Sequence, residues 1–252
     1  MKKIQLFLGG LLLSLIPAFT SAVTFAAEPP EGYEVESLST ECGLMDITLI
    51  KHGSLAVMYK DMTIQIDPVA GFGKPTDYAK DFGKADFILV THEHPDHLDE
   101  ATLKTLMGGH TKLYLNKTSR DKIGFGTAVA NGDSFELYEG VRVEVVPAYN
   151  TTPGREKFHP KGNGNGYILD LDGFRIYIAG DTEDIPEMAE LGTIDMAFLP
   201  VNQPYTMTPD QCVHAAEMIK PTILIPYHSG QTDLSGIPAR LPDVDVRLRN
   251  MQ

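Results

Sequence analysis

Cysteine is scarce in this sequence. Only Cys42 and Cys212 occur in 252 residues, and neither stands in a metal-ligating spacing. That excludes a thiolate zinc module and a small disulfide-framed fold. Cys212 lines up with Ala216 and Ile219 on one helical face and reads as core, with a Cys42–Cys212 disulfide as the alternative. Cations are also few: 21 Lys and Arg face 34 Asp and Glu, for a formal net charge of -13. Such a chain lacks the basic surface that sequence-independent nucleic-acid binding needs. Past the first 27 residues no apolar run is long enough to cross a bilayer. No phosphate loop is present either, because Asn163-Gly164-Asn165-Gly166 is not followed by Lys-Ser/Thr opening a helix.

What the amino terminus does have is the pattern of export. Lys2 and Lys3 precede an apolar stretch from Ile4 to Ile16, and small residues end it at Ala26-Ala27. Residues 1–27 are read as a secretory signal peptide, with cleavage after Ala27 favoured over Ala22. No Leu-x-x-Cys arrangement marks a lipoprotein. The expected location is the periplasm or the exterior, with no stable membrane insertion after cleavage. About 225 residues then remain (28–252), enough for one domain with one large core. Losing the two lysines takes the formal charge from -13 to -15.

The densest chemistry lies in Thr91-His92-Glu93-His94-Pro95-Asp96-His97. Three of the eight histidines and an aspartate fall within six residues. The apolar run Ala85–Val90 before it reads as a buried strand, and Asp99 reads as the N-cap of a following helix. The cluster therefore sits at the carboxyl end of a strand, where layered α/β folds place their sites. Imidazole and carboxylate suit zinc and neighbouring transition metals. In an extended segment His92 and His94 face the same way. Asp96 and His97 follow the break at Pro95 and can turn toward a second point, so the two pairs suit two ions.

His-x-His-x-Asp-His after an apolar strand resembles the signature of the metallo-β-lactamase superfamily. The rest of the chain extends that resemblance over residues 44–228, nearest to the branch that includes ascorbate-phosphate lactonases. It implies a four-layer αββα sandwich, with two facing mixed β-sheets, helices outside and the site along one edge. It implies that Asp181, ending the segment Phe174–Asp181, is a carboxylate bridging two ions, and that His228 is the last ligand of the second. It implies that Asp67 orients a ligand imidazole, the other reading being a strand-ending carboxylate before a proline turn. His52, in His52-Gly53-Ser54, resembles an element of the same branch and reads equally as a turn histidine.

Along the chain, residues 28–43 are polar and read as an irregular extension. Asp46–Ile50, Leu55–Tyr59 and Thr63–Ile66 read as an antiparallel meander. Lys112–Asn116 reads as a strand and Ser119–Ile123 as a short helix. Ser134–Tyr138 with Val141–Val146, and Tyr167–Leu171 with Phe174–Ile178, read as hairpins. A helix is expected near Ile185. Thr208-Pro209-Asp210-Gln211 is a capping box opening a helix to Lys220. Thr222–Ile225 is the last core strand, and the tail from Gly230 is expected on the surface or over the pocket. Where the superfamily pattern wants a further histidine this chain has Asn150, a poor zinc ligand. We expect His159 to fold back and supply the missing ligand, leaving Asn150 to orient substrate or water. Lys161 and Tyr227 are assigned to substrate binding, with Arg155 as a further anion partner. His110 and His214 are read as structural or surface residues.

The expected activity is metal-dependent hydrolysis of an ester, lactone or phosphodiester in a small molecule. It uses two divalent ions, zinc first with manganese or iron(II) as alternatives, and a metal-bound hydroxide as attacking group. Asp96 and Asp181 are the carboxylates at the reacting centre. The alternative is a metal-binding module or degenerate enzyme without turnover, which Asn150 favours. A di-iron redox role would want a flavin domain that about 225 residues cannot hold. The acidic charge and export signal disfavour a nuclease. β-Lactam hydrolysis fits the compartment but not the surroundings of Asn150 and Asp181. A homo-oligomer is compatible with all of this.

Overall fold

The computed structural model describes residues 30–40 and 43–251; the signal-peptide segment and Cys42, and with it any Cys42–Cys212 pairing, lie outside the described residues. Two seven-stranded mixed sheets face each other. The first runs β1 (Glu34–Thr40), β2 (Gly43–Lys51), β3 (Ser54–Tyr59), β4 (Met62–Ile66), β5 (Phe87–Val90), β6 (Lys112–Leu115) and β7 (Thr127–Ala128). β1 to β4 are antiparallel, and β4 to β7 are parallel. The second runs in the same sense from β8 (Ser134–Tyr138) through β9 (Val141–Ala148), β10 (Gly164–Leu171) and β11 (Phe174–Ile178). Those four are antiparallel, and β12 (Met196–Pro200), β13 (Ile223–Tyr227) and β14 (Asp245–Val246) continue in parallel.

Three apolar clusters follow from strand alternation. Between the sheets, Ile47, Val57, Ile64 and Leu89 of the first meet Val143, Leu169, Ile176, Phe198 and Ile225 of the second. Outside the first sheet, Ala56, Ile88 and Val90 carry α1 (Tyr78–Asp81) and α2 (Glu100–Leu106). Outside the second, Tyr177, Ala197 and Leu224 carry a 3-10 turn (Pro186–Glu190) and the helix α4 (Pro209–Ile219), whose buried face includes Cys212. A shorter helix, α3 (Lys117–Ile123), follows β6 and is capped by Asn116. The order is helix, sheet, sheet, helix, the sandwich the sequence predicts. Asp99 caps α2, accepting from the backbone of Ala101 and Thr102, and the Thr208–Gln211 capping box is formed in full.

Three expectations change or narrow. Residues 34–40 are an edge strand and not an irregular extension; Glu36 is buried there against Arg247 and Arg249. Of the two courses expected for the tail from Gly230 it takes the surface one, with most side chains exposed or half-buried, and does not cover the pocket. It adds β14 beside β13 and carries Met251 into the core. The segment after Ile185 forms a 3-10 turn rather than an α-helix. Among the described residues no helix is long and apolar enough to cross a membrane.

Candidate metal centre

The site lies where β4, β5, β11 and β13 reach their carboxyl ends. Two groups of donors meet there: His92, His94, His159 and Asp181, and His52, Asp96, His97 and His228. Within each group the donor atoms lie within 4.8 Å of one another. Asp181 stands between them. Its Oδ2 is 3.2 Å from His159 Nε2 and 3.8 Å from His92 Nε2. Its Oδ1 is 3.3 Å from His97 Nε2 and 3.4 Å from His228 Nε2. Asp96 faces only the second group, with Oδ2 3.1 Å from His52 Nε2, 3.4 Å from His228 Nε2 and 3.7 Å from His97 Nε2.

Hydrogen bonds behind the rings fix which nitrogens are available. The Thr91 hydroxyl donates to Asp67 Oδ2 at 2.6 Å, so at 3.0 Å from His92 Nδ1 it can only accept. His97 Nδ1 donates to the same Asp67 oxygen at 2.7 Å. His159 Nδ1 donates to the Tyr205 carbonyl at 3.1 Å. In the neutral tautomer each of these imidazoles therefore turns a bare Nε2 toward Asp181, the usual support of a metal-ligating histidine.

The donor set fits divalent ions. Buried atoms without a hydrogen-bond partner include Nε2 of His92, His97 and His159, both ring nitrogens of His228, and Asp181 Oδ1. An orphaned buried polar atom costs about 1–3 kcal/mol, and five of these, the four Nε2 atoms and Asp181 Oδ1, converge on one spot and call for a partner of high charge. The first group offers three imidazoles and a carboxylate oxygen, and the second offers three imidazoles and two carboxylates. Both sets suit zinc and neighbouring transition ions.

Backbone strain concentrates here as well. His52, Asp67 and His228 have φ of 48°, 44° and 49°, left-handed values that side chains with a Cβ seldom adopt. The surroundings hold them there. The Met251 carbonyl accepts from His52 N–H, and the His52 carbonyl accepts from His228 N–H at 3.2 Å. This brings the His52 and His228 rings to 3.6 Å between centroids. Gly53 is needed for the same approach, since a Cβ there would stand 2.7 Å from His97 Cε1. A Cβ on Gly180 would meet the Asn165 carbonyl at 2.7 Å and the Thr91 side chain at 3.2 Å, so that glycine lets the strand ends pack closely beside Asp181.

Charge follows from this crowding. Burial and the neighbouring His97 hold the His92 imidazole well below its ordinary pKa. Burial would lower His97 too, but the charges of Asp181 and Asp67, with the Asp67 hydrogen bond, raise it to about 10. Burial opposes ionisation of Asp181 and Asp96, yet the surrounding imidazoles hold both carboxyls well below the usual range.

The groups open onto a cavity of ≈ 370 Å³ lined by His52, His94, Asp96, His159, Asp181 and His228, with Phe72, Pro95, Phe158, Asn202 and Tyr205 toward its mouth. A larger surface cleft of ≈ 470 Å³ beside Lys220 and Arg240 contains none of these donors. The structure thus brings together His92, His94, Asp96, His97, His159, Asp181 and His228, with Asp67 behind His97 and Thr91. It adds His52 to the second group; the His52-Gly53 turn was its visible signal in the sequence.

It does not bring Lys161 or Tyr227 to the cavity. Tyr227 is buried in the core, its hydroxyl accepting the Gly180 N–H at 3.1 Å. Strand alternation explains this, since Tyr227 shares the inward face of β13 with Ile223 and Ile225, and the chain leaves the strand before His228. Lys161 Nζ donates to Glu187 at 2.8 Å and to the Tyr149 hydroxyl at 2.9 Å. Arg155 faces the buried Glu183 at 3.6 Å. Asn150 does not line the cavity either. Its amide donates to the carbonyls of Tyr205 and Arg155, and its backbone N–H donates to the His159 carbonyl. It therefore holds the loop that delivers His159. His214 is exposed and bonds Asp184 at 2.6 Å, and His110 is exposed in the turn beyond α2.

Comparison with known proteins agrees with this fold. A family model described as beta-lactamase superfamily domain matches residues 46–228. A UPF0173 metal-dependent hydrolase of Pyrococcus furiosus is 35% identical over 195 residues, covering 73% of this chain and 84% of that protein. The crystal structure of a candidate metal-dependent hydrolase from Parabacteroides distasonis superposes with a TM-score of 0.83 at 49% identity, over 87% of this chain and 100% of that one. Igni18, a metallo hydrolase of Ignicoccus hospitalis, superposes with a TM-score of 0.67 at 26% identity, over 81% and 94% of the two chains.

Proposed function

The chain belongs to the metallo-β-lactamase superfamily and is a metal-dependent hydrolase; on that premise we propose an exported enzyme of the ascorbate-phosphate-lactonase-like branch that uses two divalent ions, zinc first, to cleave an ester, lactone or phosphodiester of a small molecule. The observation that carries the reading is Asp181, whose two oxygens face two separate imidazole groups. His92, His94, His159 and Asp181 would hold one ion, and His52, Asp96, His97, His228 and Asp181 would hold the other. Bound there, the ions supply Lewis acidity, bringing the pKa of a water to about 7 and stabilising charge on the substrate oxygen.

The chain's own residues do the rest. Asp67 and Thr91 keep the Nδ1 protons of His97 and His92 on the far side of the rings. Asp96, partly open to the cavity, orients the attacking water by accepting its hydrogen bond. The export reading rests on the Lys2–Ala27 pattern.

The non-catalytic alternative drew on Asn150. His159 weakens it, because that imidazole stands where a third nitrogen donor is needed. The test is metal content by mass spectrometry together with hydrolysis of a lactone, an aryl ester and a phosphodiester. Two ions and turnover of at least one substrate are expected. Two ions with no turnover on any of the three would favour the binding module.

A further inference from the structure

The side chains at the cavity mouth narrow the substrate, on the premise of the hydrolase reading above. Phe72, Phe158 and Tyr205 line it. Phe72 and Tyr205 are 42% and 47% exposed, two of the few large apolar side chains open to solvent among the described residues. They are held in place: Phe72 lies 4.6 Å from the His52 ring, and Phe158 meets Tyr205 edge-on at 5.1 Å. An apolar collar around a polar floor is how small-molecule sites bind the body of a ligand and orient its reacting end.

Among the described residues the lining contains no lysine or arginine. The nearby cations are engaged elsewhere: Lys161 with Glu187, Arg155 against Glu183, and Lys157 over the ring of Phe158 at 5.1 Å without lining the cavity. The chain as a whole carries a formal charge of -13, which repels anions approaching from a distance. Divalent ions on the floor can take charge at the reacting bond itself, but a site built for an anionic group farther along the substrate generally presents an arginine fork or a lysine.

We propose that the substrate is an uncharged carboxylic ester or lactone bearing an apolar alkyl or aryl group, seated against Phe72, Phe158 and Tyr205. Its reacting carbonyl points down to Asp181 and Asp96. Asn202, also in the lining, is the amide nearest in kind to a carbonyl partner. The reaction balances with water alone. The water oxygen bonds to the carbonyl carbon, and the acyl C–O bond breaks with its electron pair on the alkoxy oxygen. One water proton ends on that oxygen, giving an acid and an alcohol, which stay joined as a hydroxy acid when a lactone opens.

The test uses the metal-loaded protein and two 4-nitrophenyl esters of equal acyl length, the pentanoate and the hydrogen glutarate, which differ by one terminal carboxylate. The pentanoate is expected to show kcat/KM higher by about tenfold or more. Phe158→Ala and Phe72→Ala are each expected to raise KM for the pentanoate by roughly 5–10-fold with metal content unchanged, and the loss should grow with acyl length. Preference for the glutarate, or for bis(4-nitrophenyl) phosphate after correction for uncatalysed rates, would overturn the inference and leave the hydrolase reading standing. So would Phe variants with unchanged KM. No turnover of any ester, lactone or phosphodiester by protein carrying its metal would overturn the hydrolase reading and this inference with it.

Discussion

The two donor groups are built differently, although Asp181 serves both. The second is braced by backbone on every side. His52 and His228 occupy strained left-handed positions tied to each other and to the Met251 carbonyl, Gly53 lets His97 close in, and Asp67 holds the His97 ring. The first takes His92 and His94 from one strand end, but its third imidazole arrives on a loop. His159 is positioned by the Tyr205 carbonyl and by Asn150, which bonds that same carbonyl. A group assembled on a rigid strand edge and one completed by a loop should respond unequally to damage. The first is the one that peripheral substitutions can open.

The largest effect should come from removing the residue the groups share. Asp181→Ala is expected to release metal from both and to lower kcat/KM by roughly 10³-fold or more, as several kcal/mol of transition-state stabilisation are lost. Unchanged bound metal in that variant would sink the bridging assignment. Next come the supporting residues, which separate the groups. Asp67→Asn disturbs His97 directly and His92 through Thr91, so both ions should bind about 10–100-fold more weakly. Asn150→Ala should weaken only the ion of the first group, by a similar factor. Equal loss of both ions in Asn150→Ala, read by competition with a chelator, would erase the distinction.

Protons sharpen the contrast further. In the metal-free chain His97 is raised from 6.5 to about 10, so its protonation stabilises the fold below pH 6.5, and that contribution is lost as pH rises through about 10. His97 must shed this proton to offer Nε2. Affinity for the second ion should therefore climb between pH 6.5 and about 10, with proton release on binding. Calorimetric titration in buffers of different ionisation enthalpy would show it; a flat profile would contradict the charge assigned to His97. The smallest effects should be His214→Ala and His110→Ala, both exposed and outside either group, each within about 0.5 kcal/mol in a denaturant melt and silent in metal content.

The same contrast explains what could be read from the sequence. A motif that puts three histidines and an aspartate on one strand end carries its geometry with it, because period-2 facing and the break at Pro95 determine where each ring goes. The hairpins and the Thr208 capping box were legible for the same local reason. Tyr227 and Lys161 were misplaced because nearness in sequence to a donor is not nearness to the cavity: alternation turns Tyr227 into the core, and Glu187 captures Lys161. The strand Glu34–Thr40 gave no apolar signal because it is a polar edge held by backbone pairing to β2 and by arginines more than 200 residues away in sequence. His52 was ambiguous because its role depends on meeting Asp96, His97 and His228, contacts that only the tertiary fold creates.

The most direct test is the number of metal ions per chain in the purified protein and in His159→Ala, measured by mass spectrometry after dialysis against metal-free buffer. The account predicts two ions in the parent and one in the variant, with the remaining ion held by His52, Asp96, His97, His228 and Asp181. One ion or none in the parent, unchanged by the substitution, would contradict it and mean that His92, His94 and His159 do not form a metal site.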